Sequence, residues 1–155
     1  MSDNGEIVRL RDVEKSDLEL FHIYEQDQEA VRRSRFTPRE REAFMNHWVT
    51  NILGDDTVLK QTVTVDDANA GGLVAWWEDD GRRFLGYWLG RRYWGRGIGI
   101  RALALFLQQE RHRPLYADPF HGNTASVRLL ERHGFRHEGT VRHGEDEHAL
   151  LVLEQ

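Results

Sequence analysis

The stretch that decides the fold is residues 86–99, which read GYWLGRRYWGRGIG. It begins with an aromatic, apolar run, passes through an arginine-rich turn and ends with glycines at positions 95, 97 and 99. Residues 98–107 are then apolar on nearly every face, which predicts a helix covered on more than one side. A strand followed by a glycine turn and a helix presents backbone N–H groups and the positive end of the helix dipole. The stretch therefore predicts a phosphate-binding site.

The chemistry of the turn suits a pyrophosphate. Arg96 lies inside it and can add a charge-assisted contact to a phosphate. An ordinary glycine-rich surface turn is one alternative, because glycine often marks loops. A dinucleotide-binding turn fits less well, since the G-x-G-x-x-G pattern needs glycine where the chain has Ile100. The preceding strand also follows other strands instead of opening a βαβ unit.

A second motif lies in residues 123–135, NTASVRLLERHGF, a helix with Asn-x-x-Ser at its start and Gly-Phe at its end. Together with residues 86–99 it resembles the acetyl-CoA-binding region of the GNAT superfamily of N-acetyltransferases. The likeness is strong over residues 86–139 and depends on element order elsewhere. It is closest to the alanine acetyltransferase-like branch that modifies ribosomal-protein N-termini. Trp94 departs from the Gln or Arg that the wider superfamily has at that position.

The resemblance implies that acetyl-CoA is the co-substrate and that backbone amides of the turn hold its pyrophosphate. It also implies that the strand ending at Leu89 pairs with the pantetheine arm and splays from a strand at residues 115–117, with a backbone N–H near Leu89 facing the thioester oxygen. Asn123 either contacts the arm or caps its helix. The cofactor-binding residues that follow are Trp88, Leu89, Trp94, Gly95, Arg96, Gly97, Ile98, Gly99 and Asn123.

The catalytic residues are less clearly marked. Many members of the superfamily carry a tyrosine where this chain has Leu130. Ser126 is the remaining hydroxyl on that helix, and the resemblance implies that it orients or protonates the sulfur; capping of the helix is the alternative. Residues 84–89 contain no carboxylate that could act as a base. We take Glu138 as the candidate base, and the alternatives are Glu78, His121 and a water chain to bulk solvent.

The expected reaction is direct transfer of acetyl from acetyl-CoA to a primary amine. Keeping a lysine-like amine neutral at pH 7 costs about 4.6 kcal/mol, whereas an N-terminal amine with a pKa near 8 costs only about 1.4 kcal/mol. This difference favours an α-amine, and the net charge of −5 favours a cation. A peptide N-terminus or a small cationic amine is therefore the expected acceptor. The absence of cysteine removes the thiol nucleophile and favours attack without an acetyl-enzyme. The alternative is a GNAT-like module that binds an acyl-CoA without transferring the group.

Composition sets the broader limits. A chain of 155 residues suits a single domain, taken as residues 1–155. The net charge of −5 gives no general field for nucleic acid, and no stretch approaches a membrane span. The N-terminus lacks a secretory signal pattern, so we expect a cytoplasmic protein. Homodimer formation is left open.

Six histidines between positions 112 and 148 raise the question of a metal site. His133 and His137 are four residues apart, but Gly134 ends the helix between them, so the two rings do not share a helix face. We expect no metal.

Hydrophobic periodicity and turn residues predict an α+β fold in the order βααβββαβαββ, with helices on both faces of a mixed, mostly antiparallel sheet. Thr37 and Pro38 are expected as the N-cap and first residue of the second helix. The predicted strands are residues 7–11, 57–65, 72–77, 83–89, 115–117, 139–142 and 148–153, and the predicted helices are residues 16–30, 37–52, 98–107 and 123–133.

Overall fold

A computed structural model describes residues 6–155. Its centre is a seven-stranded sheet. The strands are β1 (Val8–Asp12), β2 (Leu59–Val65), β3 (Ala68–Trp77), β4 (Arg83–Leu89), β5 (Leu115–Ala117), β6 (Arg136–His143) and β7 (Asp146–Leu153). They lie in the order β1-β2-β3-β4-β5-β7-β6, and all neighbours are antiparallel except β4 and β5, which are parallel. The mixed, mostly antiparallel sheet confirms the predicted α+β class.

Helices cover both faces of this sheet. Adjacent residues on a strand point to opposite faces, and on β3 the side chains of Leu73 and Val74 belong to two different clusters. The helices are α1 (Leu18–Gln26), α2 (Gln28–Ser34), α3 (Arg41–His47), α4 (Ile98–Gln109) and α5 (Thr124–Arg132). Leu73 packs with the cluster that contains α4 and α5, whereas Val74 packs with the cluster that contains α1 and α3. Within the described residues, no helix is long and apolar enough to cross a membrane.

The single helix predicted for residues 16–30 is wrong, because the chain breaks it at Asp27. This residue is extended, with φ −60° and ψ 125°, and separates α1 from α2. Its carboxylate accepts hydrogen bonds from the backbone N–H groups of Glu29 and Ala30 at 2.9 and 3.0 Å. Aspartate is a strong N-cap residue, so it starts a new helix where periodicity alone suggested continuity.

The predicted start of the next helix at Thr37 and Pro38 is also wrong. Helix α3 begins at Arg41, and the preceding segment is held in an extended form by α1. The backbone N–H of Arg39 donates to a carboxylate oxygen of Glu25 at 2.8 Å, and the Arg39 carbonyl accepts from the Gln26 side chain at 2.8 Å. These tertiary hydrogen bonds outweigh the local cap signal. A wider π-type turn, Trp48–Leu53, continues α3.

Strands β4 and β5 pair only at one end. The ladder contains Arg83 with Leu115 and Phe84 with Tyr116, and then β4 continues to Leu89 without β5 as a partner. A buried ion pair fixes the closed end: Arg83 donates two hydrogen bonds to Glu110, at 3.0 and 2.9 Å. The sheet is therefore pinned at the start of β4 and open at its end, as the resemblance implied.

Candidate active site

A cleft of about 1070 Å³ occupies the region where β4 and β5 diverge. It is lined by β4, by the glycine turn, by the loop after β5 and by the start of α5 on one side. The helices α1, α2 and α3 supply the other wall. The divergence of two central strands thus produces a channel through the middle of the sheet, with a different helix layer on each side.

The glycine turn forms one end of this cleft. Gly95 and Gly97 have φ values of 71° and 74°, a backbone region that favours glycine, and Gly97 is the N-cap residue of α4. A Cβ atom built on either residue meets no other atom within 4 Å, so open space lies beside the backbone at both positions. The backbone and the helix N-terminus together fit a pyrophosphate.

In contrast to Gly95 and Gly97, Ile98 and Gly99 pack against other residues of the protein. A Cβ atom on Gly99 would lie 3.4 Å from Leu129 on α5, an ordinary packing distance. The Ile98 side chain is buried in the core, at 1% exposure. Ile98 can therefore contribute only its backbone to an anion, and Gly99 allows close packing of α4 on α5.

The Arg96 side chain does not line the cleft in this structure. It forms an ion pair with Glu6 and donates to the carbonyl of Arg92 at 3.0 Å. Two cations missed by the sequence analysis, Arg128 and Arg132, do line the cleft from α5. Their spacing of four residues places them on one face of the helix, a signal that the sequence contained.

The two predicted cofactor-binding tryptophans stabilise the end of β4. Trp94 donates from Nε1 to the Leu89 carbonyl at 2.9 Å, and the guanidinium of Arg33 lies 4.3 Å from the centre of its ring. The ring of Trp88 packs edge-on against the rings of Phe21 and Trp48, with centroids 5.2 and 5.6 Å apart. Both indoles line the cleft.

A pair of hydroxyl groups lies at the open end of the gap between β4 and β5. The Ser126 Oγ and Tyr87 Oη atoms are 2.5 Å apart, and both residues line the cleft. Burial raises the pKa of Tyr87 to about 12, although the hydrogen bond with Ser126 opposes this shift. Tyr87 therefore stays protonated at neutral pH and can donate a hydrogen bond. Sequence reasoning missed it, although strand alternation from Leu85 and Leu89 places Tyr87 on the α5 side.

Capping of the helix is not the role of the Ser126 side chain. Asn123 is the N-cap of α5, and its side-chain oxygen accepts from the Ser126 N–H at 3.4 Å. The Ser126 hydroxyl instead reaches across to β4. Leu130, at the position where many GNAT members have tyrosine, is fully buried in the core.

The structure places the three candidate bases outside the cleft. Glu138 is exposed on the edge strand β6, at an irregularity in its pairing with β7. Glu78 is exposed and accepts from Nε1 of Trp76 at 2.6 Å, and His121 is exposed. None of the three is among the residues that line the cleft, so this placement gives no support to a role for them in proton removal.

The histidines that raised the metal question have other partners. His133 lies against the carbonyls of Leu129 and Ile100, at 2.9 and 3.1 Å, and His137 contacts a carboxylate oxygen of Glu131 at 2.9 Å. Over residues 6–155 there is no cluster of three or more side chains suited to hold a metal ion.

Comparisons with known proteins place this architecture. Residues 8–136 match the acetyltransferase (GNAT) domain family. No curated protein matches the sequence. A solved structure of an uncharacterized protein from Bacillus halodurans has a TM-score of 0.81 at 15% identity, covering 98% of this chain and 86% of the other.

Two solved acetyltransferases share the fold. The aminoglycoside acetyltransferase AAC(6')-Ib in complex with coenzyme A has a TM-score of 0.77 at 19% identity, over 96% of this chain and 95% of that one. RimL, a ribosomal L7/L12 alpha-N-protein acetyltransferase in complex with coenzyme A, has a TM-score of 0.75 at 19% identity, over 95% and 93%. With the family match spanning most of its length, the chain belongs to the GNAT acetyltransferase family and is an acyltransferase.

Proposed function

We propose that this protein transfers an acetyl group from acetyl-CoA directly to a primary amine, either a peptide N-terminus or a small cationic amine. The observation that carries the proposal is the gap between β4 and β5, which has the glycine turn at one end and the Ser126–Tyr87 hydroxyl pair beside it. The co-substrate supplies an activated acyl thioester. The chain supplies a cradle for its phosphates, a channel for its arm and a hydrogen-bond donor near the sulfur.

The open space at the glycine turn supports pyrophosphate binding. Backbone N–H groups of residues 95–99 and the first turn of α4 are the donors that would hold it. Arg128 and Arg132 on α5 add positive charge on the same side. Arg96 can join them only if it leaves Glu6.

The hydroxyl pair supports departure of the thiolate. Tyr87 is protonated at working pH, so the pair that it forms with Ser126 can donate a hydrogen bond to the departing sulfur. A thiol with a pKa near 8.5 leaves readily, so this donor needs to supply less help than an acid that assists a poor leaving group.

The wall of the cleft that α1, α2 and α3 supply, here called the acceptor wall, supports a cationic acceptor. It carries partly exposed aromatic rings, including those of Phe36 and Trp76, and ring faces attract ammonium groups. Two carboxylates on this wall are already occupied, because Glu25 binds Arg39 and Asp55 binds Thr57. We therefore expect the amine to be recognised by aromatic ring faces and by the shape of the cleft, and not by an unpaired carboxylate.

The test is release of coenzyme A thiol with a panel of acceptors: a peptide with a free N-terminus, the same peptide acetylated, spermidine and kanamycin. We expect turnover with at least one free amine and none with the blocked peptide. Initial rates at varied concentrations of both substrates should give intersecting double-reciprocal lines, because acetyl passes directly to the amine.

Parallel lines, or acetyl retained on the denatured protein, would contradict direct transfer. Tight acetyl-CoA binding without thiol release to any amine would favour the alternative, a GNAT module that binds an acyl-CoA without catalysis. Two features of the sequence favour that alternative. The chain has Leu130 where many GNAT members have a tyrosine, and β4 carries no carboxylate that could act as a base.

A further inference from the structure

His148 on β7 is a buried side chain with an unsatisfied polar atom in the wall of the cleft. The residue is 9% exposed and lines the cleft. Its Nδ1 atom lies 2.8 Å from the backbone carbonyl of Asp118, whereas its Nε2 atom is buried and has no hydrogen-bond partner. Buried polar atoms are almost always paired, so one that is left unpaired needs a reason.

The partner of Nδ1 determines which nitrogen carries the proton in the neutral ring. A carbonyl oxygen can only accept, so Nδ1 is the donor and holds the hydrogen. The Nε2 atom then has a free lone pair and is the basic nitrogen of the imidazole. This is the state that a general base requires.

The ring is fixed by its surroundings on three sides. The loop after β5 pairs with β7 through a bridge between Phe120 and His148, and the Ala149 N–H donates to the Pro119 carbonyl at 2.9 Å. The rings of Phe120 and His143 pack edge-on against the imidazole, with centroids at 5.8 and 4.5 Å. His143 itself is bound to the Asp118 carboxylate at 2.8 Å.

The position of His148 across the sheet separates it from the hydroxyl pair. On β7, Ala149 and Leu151 pack in the cluster of α4 and α5, so His148 faces the other layer, where α1 to α3 lie. Tyr87 belongs to the α5 side. The imidazole and the hydroxyl pair therefore lie on opposite faces of the sheet, the arrangement needed when an amine enters from one side and a thiolate leaves toward the other.

We propose that His148 is the catalytic base for the acceptor amine, an assignment that rests on the proposed acetyl transfer. Its Nε2 atom accepts the proton that the nitrogen gives up as the N–C bond to the acetyl carbon forms and the C–S bond breaks. The sulfur leaves as a thiolate that accepts a hydrogen bond from the hydroxyl pair of Ser126 and Tyr87. The proton on His148 then passes to solvent, so the protein returns to its starting charge.

The first test reads the imidazole directly in the free protein. Long-range proton–nitrogen NMR spectra of the neutral form should show His148 protonated at Nδ1 and bare at Nε2, with the signal assigned by its loss in His148→Gln. A proton on Nε2 would overturn the proposal, whether or not an active acceptor is known.

The second test separates catalysis from folding and from cofactor binding. The assay uses the free-amine peptide or spermidine, whichever the wild type acetylates. His148→Gln should lower kcat about 100-fold or more. Its affinity for acetyl-CoA, measured by calorimetry, should stay within about twofold of the wild type. In His148→Ala, free imidazole should restore a measurable part of the rate, which a merely structural histidine would not allow. His137→Gln, an exposed histidine on β6, is the matched control and should keep the wild-type rate.

Normal turnover by a folded His148→Gln variant would show that His148 is not the catalytic base, and the proposed acetyl transfer would still stand. Failure of the wild type to bind acetyl-CoA would instead reject the proposed function, and the base with it.

Discussion

At the residue scale, the contact between Ser126 and Tyr87 links two elements that only the folded chain brings together. The sequence pointed to Ser126 through its helix motif, but its partner is 39 positions away and became visible only in the fold. The same holds for His148, whose neighbours Asp118 and Phe120 belong to the loop after β5. Motif residues near one another in sequence were predictable, whereas side chains paired across the cleft were not.

Ser126→Ala should lower turnover by at least about tenfold, because it removes the hydroxyl that Tyr87 contacts. The effect is expected below the roughly 100-fold to 10,000-fold typical of proton transfer, since a thiol leaves readily as thiolate. The loss of stability should be about 1 kcal/mol, the contribution of one hydrogen bond. Steady-state kinetics and thermal unfolding measure the two effects separately.

Thr124→Ala is the control for Ser126→Ala, since Thr124 lies on the same helical turn, is exposed and does not line the cleft. It should leave turnover unchanged. Should Ser126→Ala melt earlier but turn over normally, Ser126 would be structural only.

At the element scale, the strands and the last two helices were easier to predict than the helices before β2. β4 was predicted with its exact bounds, and β3 and β6 begin only four and three residues before their predicted starts. The early helices were displaced because hydrogen bonds between elements compete with local signals: Asp27 starts α2, and Glu25 holds Arg39 ahead of α3. Such contacts carry no periodic pattern in the sequence.

Asp17, at the start of α1, joins that helix to three strands. It is 3% exposed and accepts hydrogen bonds from Arg11 on β1, Thr62 on β2 and Asn69 on β3. Burial alone would raise the pKa of Asp17, but the hydrogen bonds from Arg11, the Glu14 N–H and Thr62 lower it overall. The carboxylate thus anchors the helix whose residues line the acceptor wall.

Asp17→Asn should lower the free energy of unfolding at pH 7 by about 2–3 kcal/mol. This is less than the roughly 3–5 kcal/mol of a fully buried pair, because the Arg11 side chain is 39% exposed. A lowered folded-state pKa stabilises the protein above the unfolded value near 3.9 and loses that effect as the pH falls. The difference in free energy of unfolding between wild type and variant, measured by urea unfolding, should therefore decrease below about pH 4.

The control is Asp67→Asn, whose carboxylate is 88% exposed and lies 3.9 Å from Arg9. Its effect should stay within about 0.5 kcal/mol at every pH. If Asp17→Asn lowers the free energy of unfolding equally at pH 3 and pH 7, the charge of Asp17 does not contribute to stability.

At the scale of the whole molecule, the decisive feature is a sheet that is closed at Arg83 and open at Leu89. The two sequence motifs lie on either side of that opening, one in the turn after β4 and the other at the start of α5. Their order and chemistry could be predicted because each is a local pattern with a fixed spacing. The acceptor wall could not, because it is assembled from α1, α2 and α3, whose relative placement depends on tertiary contacts.

The most direct measurement is calorimetric titration of acetyl-CoA into the wild type, Gly97→Val and Gly81→Val. Both glycines have positive φ values, 74° and 87°, and open space beside them, so the two variants carry similar backbone strain. Gly97 lies in the turn proposed to hold the pyrophosphate, whereas Gly81 lies in the hairpin between β3 and β4. We predict that the wild type and Gly81→Val bind and that folded Gly97→Val does not; unchanged affinity in Gly97→Val would contradict the account.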